Sequence, residues 1–495
     1  VDVALQQGIY SVKMNRRPRR NSKIAQAAAF MEWRLIKFLT AAQHNQYHEC
    51  REFFSMKQRI ASFVILAAAA ISGRAEAAGF YLQEQSVSQQ GSAFAGAVAN
   101  PEDASTVFFN PAGMTKLNGP MISGGVSVLV PETEIANTGS TAGPTAGAAA
   151  AYAGSPGGNP FDPTPVPSFY GVYPLEGGKV WLGLGVSSPF GLANDYGETW
   201  FGRYDSTKSE LLSINLAPVI AYKFNDKLSI GGGPNIQYVK ARLENALPCP
   251  TAICGGAAFT PGTDGLSVLK GDSIGYGFNV GALYEVNDRT QIGLHYRSKM
   301  DQTVDGEVDV SGLLGPLAGQ NGVRFAEAEL KQPDIASLGF AHRYDDRLTI
   351  LGSANWFGWS NFDEIRVEFD TGGPDAVTPE DFDDSFSFAL GAKWQQDEKW
   401  TFRGGVQYDQ TPTTLPDRST RTPDGDRYWL SLGATYAVNE KLSLDFAASH
   451  LFITDGDIAL TKRFYAGSAV DTTVNVNGKA ESSVEIFSLQ ANWKF

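Results

Sequence analysis

From about residue 120 onward, hydrophobic and polar positions alternate in short segments separated by tight polar turns. Between Tyr276 and Tyr284 the even positions are Tyr276, Phe278, Val280, Ala282 and Tyr284, with Gly277, Asn279 and Gly281 lying between them. Tyr428, Leu430, Leu432, Ala434, Tyr436 and Val438 repeat the pattern against Ser431, Gly433 and Thr435, and Leu442, Leu444, Phe446 and Ala448 repeat it again. A period of two predicts strands with one apolar face and one small or polar face. Tight turns fall at Gly177-Gly178, Asn225-Asp226, Asn287-Asp288, Asp345-Asp346, Asp397-Glu398 and Asn439-Glu440, each closely flanked by strand signals. The opposite connections are long, near 132–165, 190–210, 244–272, 304–332, 370–384, 411–427 and 454–483.

The strands predicted this way lie near 120–131, 166–176, 179–189, 211–224, 227–243, 274–286, 290–303, 333–344, 347–369, 385–396, 399–410, 428–438, 441–453 and 484–495. Fourteen is an even number, and short turns at one rim with long loops at the other are the asymmetry of an outer-membrane barrel. In the last segment Phe487, Leu489, Ala491, Trp493 and Phe495 alternate with Ser488, Gln490, Asn492 and Lys494. The alternative, a secreted β-sandwich, would pack its apolar faces on each other, whereas the interleaved Gly, Ser, Asn and Gln face suits a wet lumen. The expected fold class is therefore all-β, a 14-stranded antiparallel transmembrane barrel over 120–495. A terminal aromatic such as Phe495 is a feature that barrel assembly machinery reads in bacterial outer-membrane proteins.

Residues 78–119 do not alternate. Small residues dominate, apolar ones are spaced for short helices, and Asn100-Pro101 and Asn110-Pro111 punctuate them. Phe80, Tyr81, Phe94, Phe108 and Phe109 need burial, which favours a plug inside the barrel over a periplasmic tail. Further upstream, Met56 opens a secretory signal over 56–77. Lys57 and Arg59 precede a twelve-residue apolar region from Ile60 to Ile71, broken only by Ser62, and Ala75-Glu76-Ala77 is the cleavage site. A region of that length is too short to span a bilayer. Residues 1–55 are basic and aperiodic, and are expected to be a non-native upstream extension.

The whole chain carries 40 Lys+Arg against 53 Asp+Glu. Cleavage after Ala77 would remove 12 basic and 5 acidic residues and leave 28 against 48, net −20, a balance that argues against nucleic acid as a partner. Of three cysteines, Cys50 lies in the upstream segment, so the exported chain holds Cys249 and Cys254, spaced for a small loop disulfide. The exported chain's three scattered histidines, His295, His342 and His450, give neither a metal site nor a hydrolase triad, so no cofactor, no metal and no enzyme activity are expected. A closed barrel leaves no strand edge demanding a partner, and a monomer is expected.

Several runs resemble the FadL-type outer-membrane transporters of long-chain fatty acids, a family whose relatives take up aromatic hydrocarbons. They are the Ala78-Gly79-Phe80 start, the Asn110-Pro111-Ala112 motif, NDKLSIGGG at 225–233, WTFRGGVQYDQTP at 400–412 and DRYWLSLGATYAVNEKLSLD at 426–445. The resemblance implies a fourteen-stranded barrel closed by an N-terminal hatch. It also implies capture on outer loops, here 244–272 and 304–332, and sideways release into the membrane at a kinked third strand. That strand reads WLGLGVSSPFGL, where Gly183, Gly185 and Pro189 would break pairing. A fatty acid needs an apolar pocket with a cation at one end. By position, the resemblance implies Lys240 and Arg366 as that cation, with Arg242 as a neighbour, and Phe80, Phe108 and Phe109 as apolar wall. Parity aims Arg366 inward if Ile365, Val367 and Phe369 face lipid, while Lys240 turns inward only if Gly231-Gly232-Gly233-Pro234 holds a bulge. The expected function is passive, ligand-gated uptake of long-chain fatty acids, with uptake of aromatic hydrocarbons or other hydrophobic compounds as the alternative.

Overall fold

The computed structural model describes residues 79–495 except Glu176 and Gly373. The extension and signal expected over 1–55 and 56–77 lie outside the described residues. Fourteen antiparallel strands form a closed barrel. They are β1 Met121–Asn137, β2 Thr164–Pro174, β3 Val180–Ser187 continued by Gly191–Asp195, β4 Lys208–Lys223, β5 Leu228–Leu247, β6 Gly265–Asn287 and β7 Thr290–Arg297 continued by Met300–Ser311. The second half comprises β8 Gly322–Gln332 continued by Ile335–Arg343, β9 Leu348–Phe357 continued by Glu364–Phe369, β10 Ala376–Pro379 continued by Ser385–Gln395, β11 Trp400–Asp409, β12 Arg427–Ala437, β13 Leu442–Ile453 continued by Gly456–Phe464, and β14 Thr472–Lys494. Each strand pairs with its neighbour in sequence, and β1 closes on β14 from Met121↔Lys494 to Asn137↔Gly478.

The six tight turns fall where the sequence places them, and side-chain chemistry explains five of them. Asn225, Asn287, Asp345, Asp397 and Asn439 each accept the backbone N–H two residues on through Oδ1. At the sixth, Gly177 and Gly178 both have positive φ, 82° and 64°, as a two-residue hairpin of the primed type requires. The bulky alternating residues face outward: Tyr276, Phe278, Leu294, Leu430, Phe446, Phe487 and Leu489 are all exposed. Their partners of opposite parity, such as Ser431, Ser449, Gln490 and Asn492, are buried toward the lumen.

At the long-loop rim the strands run further than predicted. Segments expected as loops at 244–272, 304–332 and 454–483 are in large part continued strand, because β6 starts at Gly265 and β14 at Thr472. In these extensions the burial pattern inverts. Val308, Ala326, Ala328 and Val367 form a buried apolar cluster, with Ile365 and Phe369 packed against it. Above the membrane band the outside is wet, so the apolar parity turns inward.

Residues 79–119 fill the lumen as the plug. Helix α1 (Val87–Gln90) is capped by Ser86, and α2 (Thr106–Phe109) leads into a 3-10 helix, Pro111–Lys116. The Asn110 side chain accepts from Ala112 N, with Pro111 at the first position of the 3-10 helix, where its missing N–H costs nothing. Asn110 Nδ2 also donates to Val98 O within the plug and to Ala282 O on β6. An ion pair from Glu102 to Arg403 on β11 ties the plug to the opposite wall.

Candidate functional site

Three spaces adjoin one short segment of the plug, the strap Phe80–Leu82. Under the outer loops lies an apolar pocket of about 80 Å³ with Phe80 in its floor. Leu192, Leu211, Leu243, Leu330 and Ile365 wall it, and Glu380, Arg421 and Thr422 form a polar end. Phe80 is held in place by edge contacts to Trp359 and Phe362, with ring centroids 4.7 and 5.3 Å away, and Phe382 completes the aromatic group.

Below the strap, Tyr81 borders an enclosed chamber of about 30 Å³ lined by Phe94, Phe108, Phe109, Phe357 and the buried pair His295 and Arg297. Arg297 lies 4.3 Å over the Phe108 ring and donates from Nη2 to Phe108 O at 3.1 Å. Its Nη1 and His295 Nε2 have no hydrogen-bond partner among the described residues. A buried guanidinium facing an aromatic space with a donor to spare is suited to an anionic head group.

The third space is a break in the barrel wall. Strands β2 and β3 pair from Phe169↔Val186 to Pro174↔Trp181 and then part. Beyond that point Thr164–Ser168 of β2 pairs only with β1, where Pro165 and Pro167 supply no N–H. The strap fills the opening. Leu82 N donates to Pro189 O, Gly191 N donates to Phe80 O, and Tyr81 bridges Phe190. Gln85 adds a two-sided clamp, accepting from Ser188 N and donating to Ser188 O. Leu82, Val166, Pro167 and Phe190 line the residual gap.

Pro189 thus sits at the break, but Gly183 and Gly185 do not. Both lie in regular pairing with β2 and β4. They are glycines because the plug presses on them: a Cβ on Gly183 would come within 2.5 Å of Met114 Sδ and 2.8 Å of Val107, and one on Gly185 within 3.0 Å of Val107. Overpacking of this kind costs about 1–3 kcal/mol. A Gly183→Val variant is therefore expected to loosen the plug while keeping the barrel. Cells carrying it should become sensitive to a large hydrophilic antibiotic such as vancomycin, read as inhibitory concentration against the parent chain.

The cations expected at the pocket are elsewhere. Register between β5 and β6 runs unbroken through Gly231–Pro234, so no bulge turns Lys240 inward; it shares the outward parity of Ile236 and Tyr238 and is exposed. Arg242 has the same parity and pairs with Glu244. Arg366 also points outward, 38% exposed and paired with Glu364 at 2.7 Å and Asp375 at 2.8 Å. Its parity was inferred with Ile365 on lipid, and Ile365 instead lines the pocket. Phe80 lines the upper pocket and Phe108 and Phe109 the lower chamber. Cys249 and Cys254 are bonded in an outer loop.

Sequence reasoning passed over Arg297, Arg421 and Glu380. Arg297 was findable: Ile292, Leu294 and Tyr296 take the outward parity of β7, which leaves Gly293, His295 and Arg297 to the lumen. Arg421 and Glu380 stand in irregular loops, where no periodicity assigns a face.

A family model described as outer membrane protein transport protein (OMPP1/FadL/TodX) matches residues 68–495. A long-chain fatty acid transport protein of Escherichia coli O6:H1 is 31% identical over 415 residues, covering 79% of this chain and 90% of the relative. Outer membrane protein P1 of Haemophilus influenzae is 29% identical over 478 residues, covering 89% and 100%. Among solved structures, a Pseudomonas aeruginosa FadL homologue matches with a TM-score of 0.75 at 26% identity, over 84% of this chain and 100% of that one. The Pseudomonas putida toluene transporter TodX matches with a TM-score of 0.59 at 17% identity, over 85% and 100%, a likeness of fold alone.

Proposed function

The chain belongs to the outer-membrane transport protein family OMPP1/FadL/TodX, a family of transport channels for hydrophobic compounds and not of enzymes, and from that premise we propose that its substrate is a long-chain fatty acid. The observation that carries this reading is Arg297, buried against an aromatic chamber with Nη1 unpartnered among the described residues. An uncharged hydrocarbon gives that group nothing, whereas a carboxylate gives it an ion pair in a buried setting, where charge pairing is strong. The relatives at about 30% identity that are described as long-chain fatty acid transport proteins support the same choice.

Passage follows from the position of the strap. The acid's tail enters the apolar pocket above Phe80. Displacing Phe80–Leu82 joins that pocket to the Arg297 chamber, and the same movement uncovers the opening between β2 and β3 toward the lipid. Binding energy in the pocket favours the displaced state only as far as the ligand prefers it. Export through a signal at 56–77, assembly through Phe495 and a monomeric barrel complete the proposal.

The test is accumulation of labelled oleate and labelled toluene, side by side, in a host lacking its own transporter for either and expressing residues 56–495. Oleate uptake well above vector, with toluene at vector level, is the expected result. The reverse would move the chain to hydrocarbon transport.

A further inference from the structure

The upper pocket holds a carboxyl group that no structural role explains. Glu380 follows the short strand Ala376–Pro379 in the sequence Pro379-Glu380-Asp381-Phe382-Asp383-Asp384, and of its four acids only Glu380 is buried, at 2% exposure. The backbone is built to turn it inward. Asp381 takes a positive φ of 38°, Glu380 N and Asp381 N both donate to Asp363 O, and Phe382 anchors the segment in the aromatic group around Trp359. Glu380 Oε1 has no hydrogen-bond partner among the described residues, although the side chain lines the pocket. Leaving a buried carboxyl oxygen unpaired is costly, so a ligand group that pairs with it recovers that cost.

The charges around it define that ligand. From the crossover after β3, Asp205 is matched by Lys462 of β13 at 2.5 Å. Arg421, from the crossover before β12, is bound only by neutral groups: the hydroxyls of Ser206 and Ser209 and the backbone oxygens of Asp205 and Lys208. Asp417, half-buried, faces the site from the same crossover. Glu210 of β4, paired with Lys208, and Glu329 of β8, close to Lys331, line the pocket, and Asp363, just ahead of the Glu364–Phe369 part of β9, is paired with Lys331. Glu244 of β5 also acts on Arg421. Among the described residues Arg421 makes no hydrogen bond to a carboxylate, which leaves its guanidinium as the cation at this end of the pocket that a ligand anion can meet.

We propose that the Glu380 carboxyl is a head-group subsite of this pocket, donating a hydrogen bond to the carboxylate of a bound fatty acid so that the anion and one shared proton occupy the site together. This rests on the fatty-acid reading above and deepens it. Burial, reinforced by Asp205, lifts the Glu380 carboxyl to about 8, with Lys462 and Arg421 opposing. Below that pH the group is neutral and can donate. Above it the group is ionised, satisfies Arg421 itself and repels a second carboxylate.

The experiment is binding of tritiated dodecanoate and tritiated dodecanol to the full chain in lipid nanodiscs, from pH 6 to 9.5, for wild type and Glu380→Gln, with empty discs subtracted. Dodecanoate affinity of the wild type should fall about tenfold between pH 7 and 9, the loss expected for one proton titrating near 8. Dodecanol should show no such fall, and Glu380→Gln, whose amide N–H donates at every pH, should bind dodecanoate with a flat profile. A flat wild-type profile, which needs no variant to read, or an equal slope in Glu380→Gln, overturns the subsite and leaves fatty-acid transport standing. Binding of dodecanol with no dodecanoate binding at any pH overturns both.

Discussion

Replacing Arg297 with leucine is expected to lower oleate uptake by one to two orders of magnitude while leaving binding of the uncharged dodecanol unchanged. A hydrogen bond to a charged group contributes about 1.5–3 kcal/mol, a factor of roughly ten to one hundred, and the chamber around Arg297 offers a carboxylate no second cation. The leucine gives up the cation–π contact with Phe108 and the bond from Nη2 to Phe108 O, so the fold needs its own check. Heat-modifiable migration on gels reports whether the barrel is intact. Arg297→Lys should fall between the two, since lysine keeps the charge and loses the planar fork. An oleate uptake equal to wild type in a folded Arg297→Leu protein would remove the chamber from the path.

The contrast between Arg297 and Arg366 shows what the chain reveals by pattern. Within the membrane band the rule is strict: lipid demands apolar side chains, so a cation on the opposite parity must face the lumen. Arg297 obeys it, following Tyr296 and opposite in parity to Ile292, Leu294 and Tyr296. The same rule applied to Arg366 gave the wrong face, because β9 has left the membrane by Glu364 and its apolar residues turn to the pocket. Lys240 depended on a bulge that the glycines permit and the register does not contain. The number of strands and the tight turns were legible because each is a local signal, repeated. The pocket was not, since Phe80, Leu211, Leu330, Ile365 and Glu380 come from separate parts of the chain and meet only in the closed barrel.

The strap accounts for more than any single cation, and a covalent staple across it should have the largest effect. Tyr81 and Phe190 form an isolated antiparallel bridge whose flanking hydrogen bonds run from Leu82 N to Pro189 O and from Gly191 N to Phe80 O. That places Tyr81 and Phe190 at a non-hydrogen-bonded pair, where opposed Cα atoms approach to about 4.5 Å, within reach of a disulfide. In a background with Cys249 and Cys254 replaced by serine, the Tyr81→Cys, Phe190→Cys double variant is expected to lose nearly all oleate uptake when oxidised. A mild reductant should restore it, and that recovery separates the staple from the loss of two aromatic rings, which persists in the reduced protein. Tyr81→Cys alone should respond to neither treatment. If the oxidised double variant carries oleate at the rate of its reduced form, the acid passes without lifting the strap, and the opening between β2 and β3 is not its exit. If uptake switches with the staple, one three-residue segment governs the pocket, the chamber and the wall together, because Phe80, Tyr81 and Leu82 cannot leave β3 one at a time while the two backbone hydrogen bonds on either side of the bridge hold.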